Sequence, residues 1–599
     1  MMRVLFRCLI LCIGVFFCGC GTPENRLPAT GIVRQGIEGR YVQDDRTTLY
    51  ISPLRILWQQ GMVRGADYLL RKGDTQLTTN GNNACVLENR GGENAAILFD
   101  FGKELQGGIK ISAAIRADQH PVKVRVRLGE SVSEAMSSIE KDPTASNDHA
   151  MRDYIIEVPW LGEVEIGNSG FRFARIELLD DQCVLPLQSV RAVFRFRELD
   201  YLGSFACSDQ RLNRIWETGA YTVHLNMQDY VWDGIKRDRL VWLGDLHPEL
   251  MTINTVFGDQ PVLRATLDFG RDHCPLPGWM NGISSYSLWW IISHRDFYMY
   301  QGDRDYLREQ QEYLNVLTGQ ILDKIDGNRE AFDGQRFLDW PTSENPEVIH
   351  AGLQSLCLMA LEAAADMAGW LDDPGLKERS REAADRLRTH IPDHAGNKQA
   401  AALLAISGLA DAARMKEVVL QDGVRRFSTF YGYYMLEALA RAGAHEEALR
   451  AISDYWGIML DLGATTFWED LDYDDALKAS RIDELVPEGG FDIHSQSGAY
   501  CYEGLRHSFC HGWASGPTAW LSRYVLGISP AEPGFRSVSI EPRLGGLEWA
   551  EGTFPTPLGL ISVEHRKDPS GQVSSRITAP KGMKVLPGET IARSKISYR

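Results

Sequence analysis

The spacing of apolar residues divides the chain into three parts. In residues 41–200 apolar and polar positions alternate with a period of two, which predicts β-strands. In residues 201–528 apolar residues recur with the spacing of a helix face, which predicts roughly a dozen amphipathic helices. In residues 529–599 the period returns to two. We therefore expect a β-domain, a helical domain and a second, smaller β-domain, in that order.

The first of these parts predicts a β-sandwich, jelly-roll-like in type, because short strands are separated by turn residues at regular intervals. The strand patterns lie at residues 96–101, 108–113, 122–128, 171–178 and 190–196. Such modules bind sugars beside some enzymes, but a structural role is the safer interpretation. The patterns at residues 537–542 and 559–565 predict a small C-terminal β-sandwich.

The helical part predicts a closed ring. One apolar face is formed by Leu353, Leu356, Ala360, Leu361 and Ala364. About a dozen such helices, paired antiparallel, favour an (α/α)6 barrel. The longer loops at one end of such a barrel would line a cleft, which is where unusual residues are expected.

Length and charge limit the possible classes of function. The chain has 599 residues, 44% hydrophobic and 24% charged, which is typical of a soluble globular protein with several domains. The net charge of -17 argues against nucleic acid or an anionic bilayer as the main partner.

The N-terminus has the form of a targeting segment. Residues 1–20 begin with positive charge, continue with a short apolar run and end in Phe-Cys-Gly-Cys, which resembles a bacterial lipobox with Cys20 as the lipidated residue. Residues 21–40 would be a tether. We predict an exported protein held by an N-terminal lipid as its membrane tether, in the periplasm or on the outer-membrane surface of a Gram-negative bacterium. Ordinary secretion is the alternative.

The segment at residues 232–249 carries the densest candidate chemistry. It contains four carboxylates and two tryptophans within eighteen residues. Carboxylates beside indole faces suit sugar chemistry, in which one acid protonates a leaving oxygen and one base activates water. The alternative is a surface loop of ion pairs above two core tryptophans, and this segment alone does not decide between them.

A second carboxylate lies at the end of Gly-Ala-Thr-Thr-Phe-Trp-Glu, residues 463–469, which follows a predicted helix. We expect this extended run to present Trp468 and Glu469 in the cleft. The acidic residues after it could bind calcium, but the order of an EF-hand is missing and a solvated loop is favoured. No cofactor and no metal site is predicted. The acidic residues that follow Glu469 are Asp470, Asp472, Asp474 and Asp475.

These motifs resemble the family 78 α-L-rhamnosidases, whose hallmark is Asp-Cys-Pro-x-Arg-Glu-x-Leu-Gly-Trp-x-Gly-Asp. The positions that match in register are Asp233, Arg237, Leu240, Trp242, Gly244 and Asp245. The positions that depart from it are Gly234, Ile235, Asp238 and Val241. The run at 463–469 matches fully, Ser-Phe-Cys-His at 508–511 resembles the family's Ser-Phe-Asn-His, and Phe-Leu-Asp-Trp at 337–340 looks like its Gly-Asp-Trp.

The resemblance implies hydrolysis of terminal α-L-rhamnosyl groups from an oligosaccharide or polysaccharide, with inversion. An inverting pair of carboxyls lies roughly 6.5–9.5 Å apart, which leaves room for the attacking water. By position the general acid is Asp238 and the general base is Glu469. Because Asp is one methylene shorter than the family's Glu, Glu249 is an alternative acid.

The remaining site residues are assigned through the same resemblance, as groups that hold sugar hydroxyls, orient carboxylates or form apolar walls. They are Asp233, Arg237, Trp242, Asp245, Glu249, Asp339, Trp340, Trp468 and His511. A different sugar or a loss of activity is also compatible with the departures. Rival interpretations are a glycuronidase or polysaccharide lyase on the same barrel, and a non-catalytic glycan-binding surface lipoprotein.

Overall fold

The computed structural model describes residues 44–73, 76–77, 84–141 and 149–599. The predicted signal peptide, the lipidated Cys20 and the tether lie outside the described residues. The fold below is that of the compact unit Arg46–Arg599.

The N-terminal domain is one antiparallel sheet of nine strands with the short helix α1, Val132–Met136. Its strands are β1 Arg46–Ile51, β2 Arg55–Gln60, β3 Met62–Arg64, β4 Cys85–Asn89, β5 Ala96–Ala113, β6 Val122–Gly129, β7 Arg152–Val158, β8 Gly162–Leu178 and β9 Cys183–Arg197. The next strand, β10 Ser204–Cys207, belongs to another sheet. The strand order is β3-β4-β9-β5-β8-β6-β7, with β1 paired to β9 and β2 paired to β5.

The three longest strands, β5, β8 and β9, are neighbours in this sheet. β5 has 18 residues, and it pairs with β2 along its first half and with β9 along its second half. The pairing of β5 with β8 is interrupted by bulges, one of them after Gly107. A Cβ atom at Gly107 would lie 1.8 Å from the Val193 carbonyl oxygen, so the close approach requires glycine there. The enclosed core is aliphatic and aromatic, with Ile97, Phe99 and Ile109 fully buried.

The central domain is helical. Its helices are α2 Gln210–Asn226, α3 Leu246–Val256, α4 Pro261–Asp272, α5 Ser284–Gln301, α6 Arg304–Glu309, α7 Gln311–Asp323, α8 Pro346–Trp370, α9 Pro374–Leu387, α10 Lys398–Ser407, α11 Ala412–Leu420, α12 Gly432–Arg441, α13 His445–Ala451, α14 Gly457–Asp461, α15 Tyr473–Ala476, α16 Ile493–Gln496 and α17 Gly516–Trp520. A π-helical turn joins α13 to α14, and the hairpin of β11 Ile325–Asp326 and β12 Arg329–Glu330 precedes α8.

Local sequence sets many of these helix ends. Asn345 and Asp373 accept backbone N–H bonds at the starts of α8 and α9, and each is followed by proline at the first helical position. Gly302 and Gly408 adopt left-handed conformations after α5 and α10. Among the described residues, α8 is the one helix long and apolar enough to cross a membrane, but 83% of its most apolar window is buried by the rest of the protein, as in a core helix.

The C-terminal domain contains β13 Ile528–Pro530, β14 Ser537–Ile540, β15 Trp549–Thr556, β16 Gly559–Lys567, β17 Val573–Ala579, β18 Lys584–Pro587 and β19 Ile591–Tyr598. These strands form two sheets, β13-β14-β18 and β10-β15-β16-β17-β19. The first strand of the larger sheet, β10, comes from before the helical domain and pairs antiparallel with β15. The sequence-based fold class, a β-domain followed by a central helical domain and a small β-domain, is confirmed.

Candidate active site

A cavity of about 210 Å³ is formed by loops between the helices of the central domain. It is lined by Asp233, Arg237, Asp238, Trp242, Asp245, Asn281, Ile283, Tyr286, Gln335, Phe337, Trp340, Glu469, Cys501, His511 and Trp513. The loop between α2 and α3 and the loop that ends in Glu469 therefore meet at one place. Eight of the eleven residues predicted from the sequence line this cavity.

Asp233 organises the loop between α2 and α3. Its Oδ2 accepts the backbone N–H of Asp238 at 2.8 Å, and its Oδ1 accepts that of Leu240 at 2.9 Å. The carbonyl of Asp233 accepts the N–H of Gly512 at 2.7 Å, which joins this loop to the segment that carries His511. A Cβ atom at Gly234 would lie 2.5 Å from the Arg237 carbonyl oxygen. The loop conformation therefore requires glycine where the family hallmark has cysteine.

Glu469 is held from both sides and is 2% exposed. Its Oε1 accepts from Arg237 Nη2 at 2.8 Å, and its Oε2 accepts the backbone N–H of Ser508 at 3.0 Å. Its carbonyl oxygen accepts from Thr429 Oγ1 and from Trp513 Nε1. Burial raises the pKa of Glu469 to about 7, against the opposing effect of the Arg237 charge. A carboxyl so placed exchanges its proton near neutral pH.

Asp238 lies at the mouth of the cavity, with its side chain 19% exposed. Its Oδ1 is 3.7 Å from Arg237 Nε and 3.0 Å from Nδ1 of His149, which belongs to the N-terminal domain. The guanidinium of Arg237 therefore lies between Asp238 and Glu469 and contacts both carboxyls.

His511 lies among three carboxyls. Its Nε2 is 3.8 Å from Asp233, 4.0 Å from Asp245 and 3.9 Å from Glu469, and its ring packs on Trp513 at a centroid distance of 4.2 Å. The three carboxyls thus converge on one ring nitrogen of His511.

The pKa values of the other two carboxyls are also raised. Burial, reinforced by the charge of Asp238, raises the pKa of Asp233 to about 7. Burial and the nearby Asp233 raise the pKa of Asp245 well above its usual range, although the Tyr286 hydroxyl donates to Asp245 Oδ1 at 3.0 Å. The cavity can therefore supply both hydrogen-bond donors and acceptors to a polyhydroxylated ligand.

Three predicted site residues do not line the cavity. Trp468 is fully buried and stacks on Phe509 at 4.1 Å, whereas its neighbour Glu469 lines the cavity. Asp339 is fully buried, and its Oδ2 accepts from Ser428 Oγ at 2.5 Å. Glu249 is 1% exposed on α3, and its Oε1 has no hydrogen-bond partner. Asp238, rather than Glu249, is thus the carboxyl at the mouth of the cavity.

The acidic run after Glu469 does not form a cluster. Asp472 caps α15, Asp474 pairs with Arg425, and Asp475 pairs with Lys478. In the part of the chain that the structure describes, one group of side chains has metal-ligand spacing, Glu130 with Glu134 and His494, and it lies outside the cavity.

Several site residues were not predicted. Trp513 and Tyr286 line the cavity, and His149 contacts Asp238 from another domain. Trp513 lies two residues after His511, so a search outward from the Ser-Phe-Cys-His motif would have found it. Tyr286 lies in an apolar helix, and nothing in the sequence around His149 points to the cavity.

Comparison with known proteins agrees with this architecture. Residues 200–525, more than half of the chain, match the bacterial alpha-L-rhamnosidase 6 hairpin glycosidase domain, and residues 527–596 match the bacterial alpha-L-rhamnosidase C-terminal domain. An alpha-L-rhamnosidase of Alteromonas sp. (strain LOR) is 24% identical over 523 residues, which cover 78% of this chain and 53% of that protein. The chain thus spans about half the length of this curated relative.

Solved structures show the same fold. The GH78 family rhamnosidase of Bacillus sp. GL1 aligns with a TM-score of 0.68 at 20% identity, over 86% of this chain and 55% of that one. The rhamnosidase from Klebsiella oxytoca with rhamnose bound aligns with a TM-score of 0.64 at 18% identity, over 80% of this chain and 96% of that one. From the extent of the domain match, this chain belongs to the bacterial α-L-rhamnosidase family of six-hairpin glycosidases.

Proposed function

We propose that this protein is a glycoside hydrolase that removes terminal α-L-rhamnosyl residues from glycans with inversion at the anomeric carbon. The observation that carries the proposal is the placement of Asp238 and Glu469 in one cavity, with Arg237 in contact with both carboxyls. A pair of carboxyls on one sugar-sized cavity is what glycoside hydrolysis requires, and inversion is proposed from the resemblance to the family. Export and the lipid tether at Cys20 are proposed from the sequence pattern alone.

In the proposed reaction, the Asp238 carboxylic acid gives its proton to the glycosidic oxygen as the bond from that oxygen to C1 breaks. Glu469 takes a proton from a water molecule, whose oxygen forms the new bond to C1 from the opposite face. The Ser508 N–H and Arg237 donate to the two oxygens of Glu469 and so orient it toward that water. Asp233, Asp245 and His511 are placed to bind sugar hydroxyls.

The cavity supports removal of a single terminal residue. Its volume of about 210 Å³ is below the roughly 300–1,000 Å³ of pockets that hold drug-sized ligands, which suits one sugar ring rather than several. The half-buried indoles of Trp242 and Trp340 lie on its wall and offer flat faces to the apolar side of a sugar.

The test is incubation with a panel of aryl glycosides that includes the α-L-rhamnoside, followed at early times by proton NMR. We expect rhamnose to be released as its β-anomer before mutarotation. Release of the α-anomer would contradict inversion. Formation of an unsaturated product that absorbs in the ultraviolet would indicate a lyase, and binding without any sugar release would indicate a glycan-binding protein.

The general acid is tested by comparing Asp238→Asn with Glu249→Gln. We expect Asp238→Asn to lose activity by about 10²- to 10⁴-fold on substrates with poor leaving groups and by less on activated aryl substrates. We expect Glu249→Gln to retain the wild-type ratio between the two kinds of substrate, because Glu249 does not line the cavity. The reverse result would assign the acid to Glu249.

A further inference from the structure

A buried ammonium group joins the active-site loops to the N-terminal domain. Lys236, which precedes Arg237, is 1% exposed. Its Nζ lies 3.2 Å from Glu134 and 3.3 Å from Glu130, both of which belong to the N-terminal domain. The same atom donates to the carbonyl oxygens of Leu505 at 2.9 Å and His507 at 2.6 Å.

The surroundings of Lys236 resemble a cation site that the ammonium group fills. The ligand atoms of Glu130, Glu134 and His494 lie within 4.8 Å of one another. His494 Nδ1 lies 2.6 Å from Ser131 Oγ, and its Nε2 lies 2.9 Å from the His507 carbonyl oxygen, to which it donates. Burial and the nearby Lys236 charge lower the pKa of His494 well below its usual range, so the imidazole is neutral and the carboxyl groups facing Lys236 are those of the two glutamates.

The glutamates are themselves tied to the loops. Glu130 Oε2 accepts the backbone N–H of Phe509 at 2.6 Å, and Glu134 Oε2 accepts that of Glu130 at 2.7 Å. Phe509 follows Ser508, whose N–H donates to Glu469 Oε2 at 3.0 Å. The contacts of Lys236 thus end one residue away from a hydrogen bond that orients the proposed base.

The backbone around Lys236 and its side chain hold different parts of the protein. Gly170 N–H donates to the Ile235 carbonyl oxygen at 2.8 Å, and Arg152 donates to the Lys236 carbonyl oxygen. These bonds dock the loop on the N-terminal sheet whatever side chain is present at position 236. At position 236 only the ammonium group reaches the carbonyl oxygens of Leu505 and His507, and His494 Nε2 donates to the second of them as well.

We propose that Lys236 is a positioning residue through which the N-terminal domain holds Ser508 against Glu469, so that the N-terminal domain is part of the catalytic apparatus. The proposal rests on the proposed function, in which Glu469 is the base. The hydrogen bond from the Ser508 N–H lowers the pKa of Glu469, and the positive charge of Lys236 lowers it as well.

The effect of replacing Lys236 depends on the charged and titratable groups that face Lys236 and Glu469. Those facing Lys236 are Glu104, Glu130, Glu134, His494 and His507. Those facing Glu469 are Asp233, Lys236, Arg237, Asp238, Asp245, Asp470, Cys501, Tyr502 and His511. Removing the Lys236 charge leaves the glutamates to take up protons, and it raises the pKa of Glu469 because a nearby cation is lost.

The test compares Lys236→Met with Lys398→Met. Lys398 is also 1% exposed, but its Nζ donates to the Gly423 carbonyl oxygen at 2.6 Å, away from the cavity. On an aryl α-L-rhamnoside we expect Lys236→Met to lower kcat by about 10- to 100-fold with little change in KM, as misplacement of a catalytic group does. We expect the acidic limb of its kcat/KM profile to move up by about one pH unit. Lys398→Met keeps the wild-type values, and Lys236→Arg recovers part of the loss.

If Lys236→Met does not fold, the double variant Lys236→Met with Glu134→Gln replaces it, since it leaves one fewer buried carboxyl without a partner. Wild-type kcat and an unmoved acidic limb in a folded variant would overturn the proposal. Hydrogen exchange supplies a readout that does not depend on activity. We expect faster exchange across residues 505–509 in the Lys236 variant than in Lys398→Met, and equal protection would overturn the proposal. A wild-type protein that releases no rhamnose would contradict the proposed function instead.

Discussion

Arg237 donates from Nη2 to Oε1 of Glu469 at 2.8 Å, and both side chains are nearly excluded from solvent. Burial raises the pKa of Glu469 to about 7, and the Arg237 charge opposes that rise. The balance between these two effects sets the pH above which Glu469 is ionised and able to accept a proton from water.

Replacing Arg237 by methionine shifts this balance. The charge that lowers the pKa of Glu469 is lost, so the pKa rises and a higher pH is needed to ionise the base. We expect the acidic limb of kcat/KM to move to higher pH by about one unit or more. The measurement is a pH profile on an activated aryl substrate. An unmoved limb, or one displaced to lower pH, would contradict the role given to Arg237.

Glu469→Gln removes the proposed base without changing side-chain shape. We expect turnover to fall by several orders of magnitude, because no other carboxyl accepts hydrogen bonds from both Arg237 and Ser508 in the described part of the chain. Near-UV circular dichroism and the thermal midpoint report whether the variant is folded. Full activity in a folded variant would end the assignment of Glu469 as base.

His149 belongs to the N-terminal domain and lies 3.0 Å from Asp238. We expect His149→Ala to release the Asp238 carboxyl and to lower kcat by about 10-fold on substrates with poor leaving groups, where proton donation limits the rate. The loss on an activated aryl substrate should be smaller. Equal losses on both kinds of substrate would show that His149 acts on binding or folding rather than on the acid.

Two tryptophans that looked alike in the sequence should behave differently. Trp340 lines the cavity, and we expect Trp340→Ala to raise KM with little change in stability. Trp468 is fully buried against Phe509, and we expect Trp468→Ala to cost about 3–5 kcal/mol of unfolding free energy. Steady-state kinetics and denaturant unfolding separate the two effects. A large stability loss in Trp340→Ala with unchanged KM would contradict this placement.

The carboxyls of the cavity also link stability to pH. The pKa of Asp233 is about 7 in the folded protein, raised first by burial, so the folded state holds its proton more tightly than the unfolded state does. This stabilisation is fully present below the ordinary aspartate pKa of about 4 and is lost as the pH rises through about 7. We expect the thermal midpoint to fall between pH 5 and pH 8, and to fall less in Asp233→Asn. If the thermal midpoint fell equally steeply with pH in both proteins, the raised pKa of Asp233 would be contradicted.

The sequence by itself determined the order of the three domains. Apolar periodicity reports the geometry of each strand or helix, and that geometry is local, so it is legible without knowing what packs against it. The sequence also located the loop of Asp233 to Asp245 and the run that ends in Glu469, since both are contiguous motifs. Most of the predicted residues that line the cavity come from these two segments.

Only the tertiary structure decided which neighbour in a motif faces the cavity and which partners come from elsewhere. Trp468 and Glu469 are adjacent, yet one packs in the core and the other lines the cavity. Lys236 meets Glu130 and Glu134 from another domain, and β10 pairs with a strand near the other end of the chain. These contacts depend on how separate elements dock, and no local pattern of residues encodes a side chain's direction at an interface between domains.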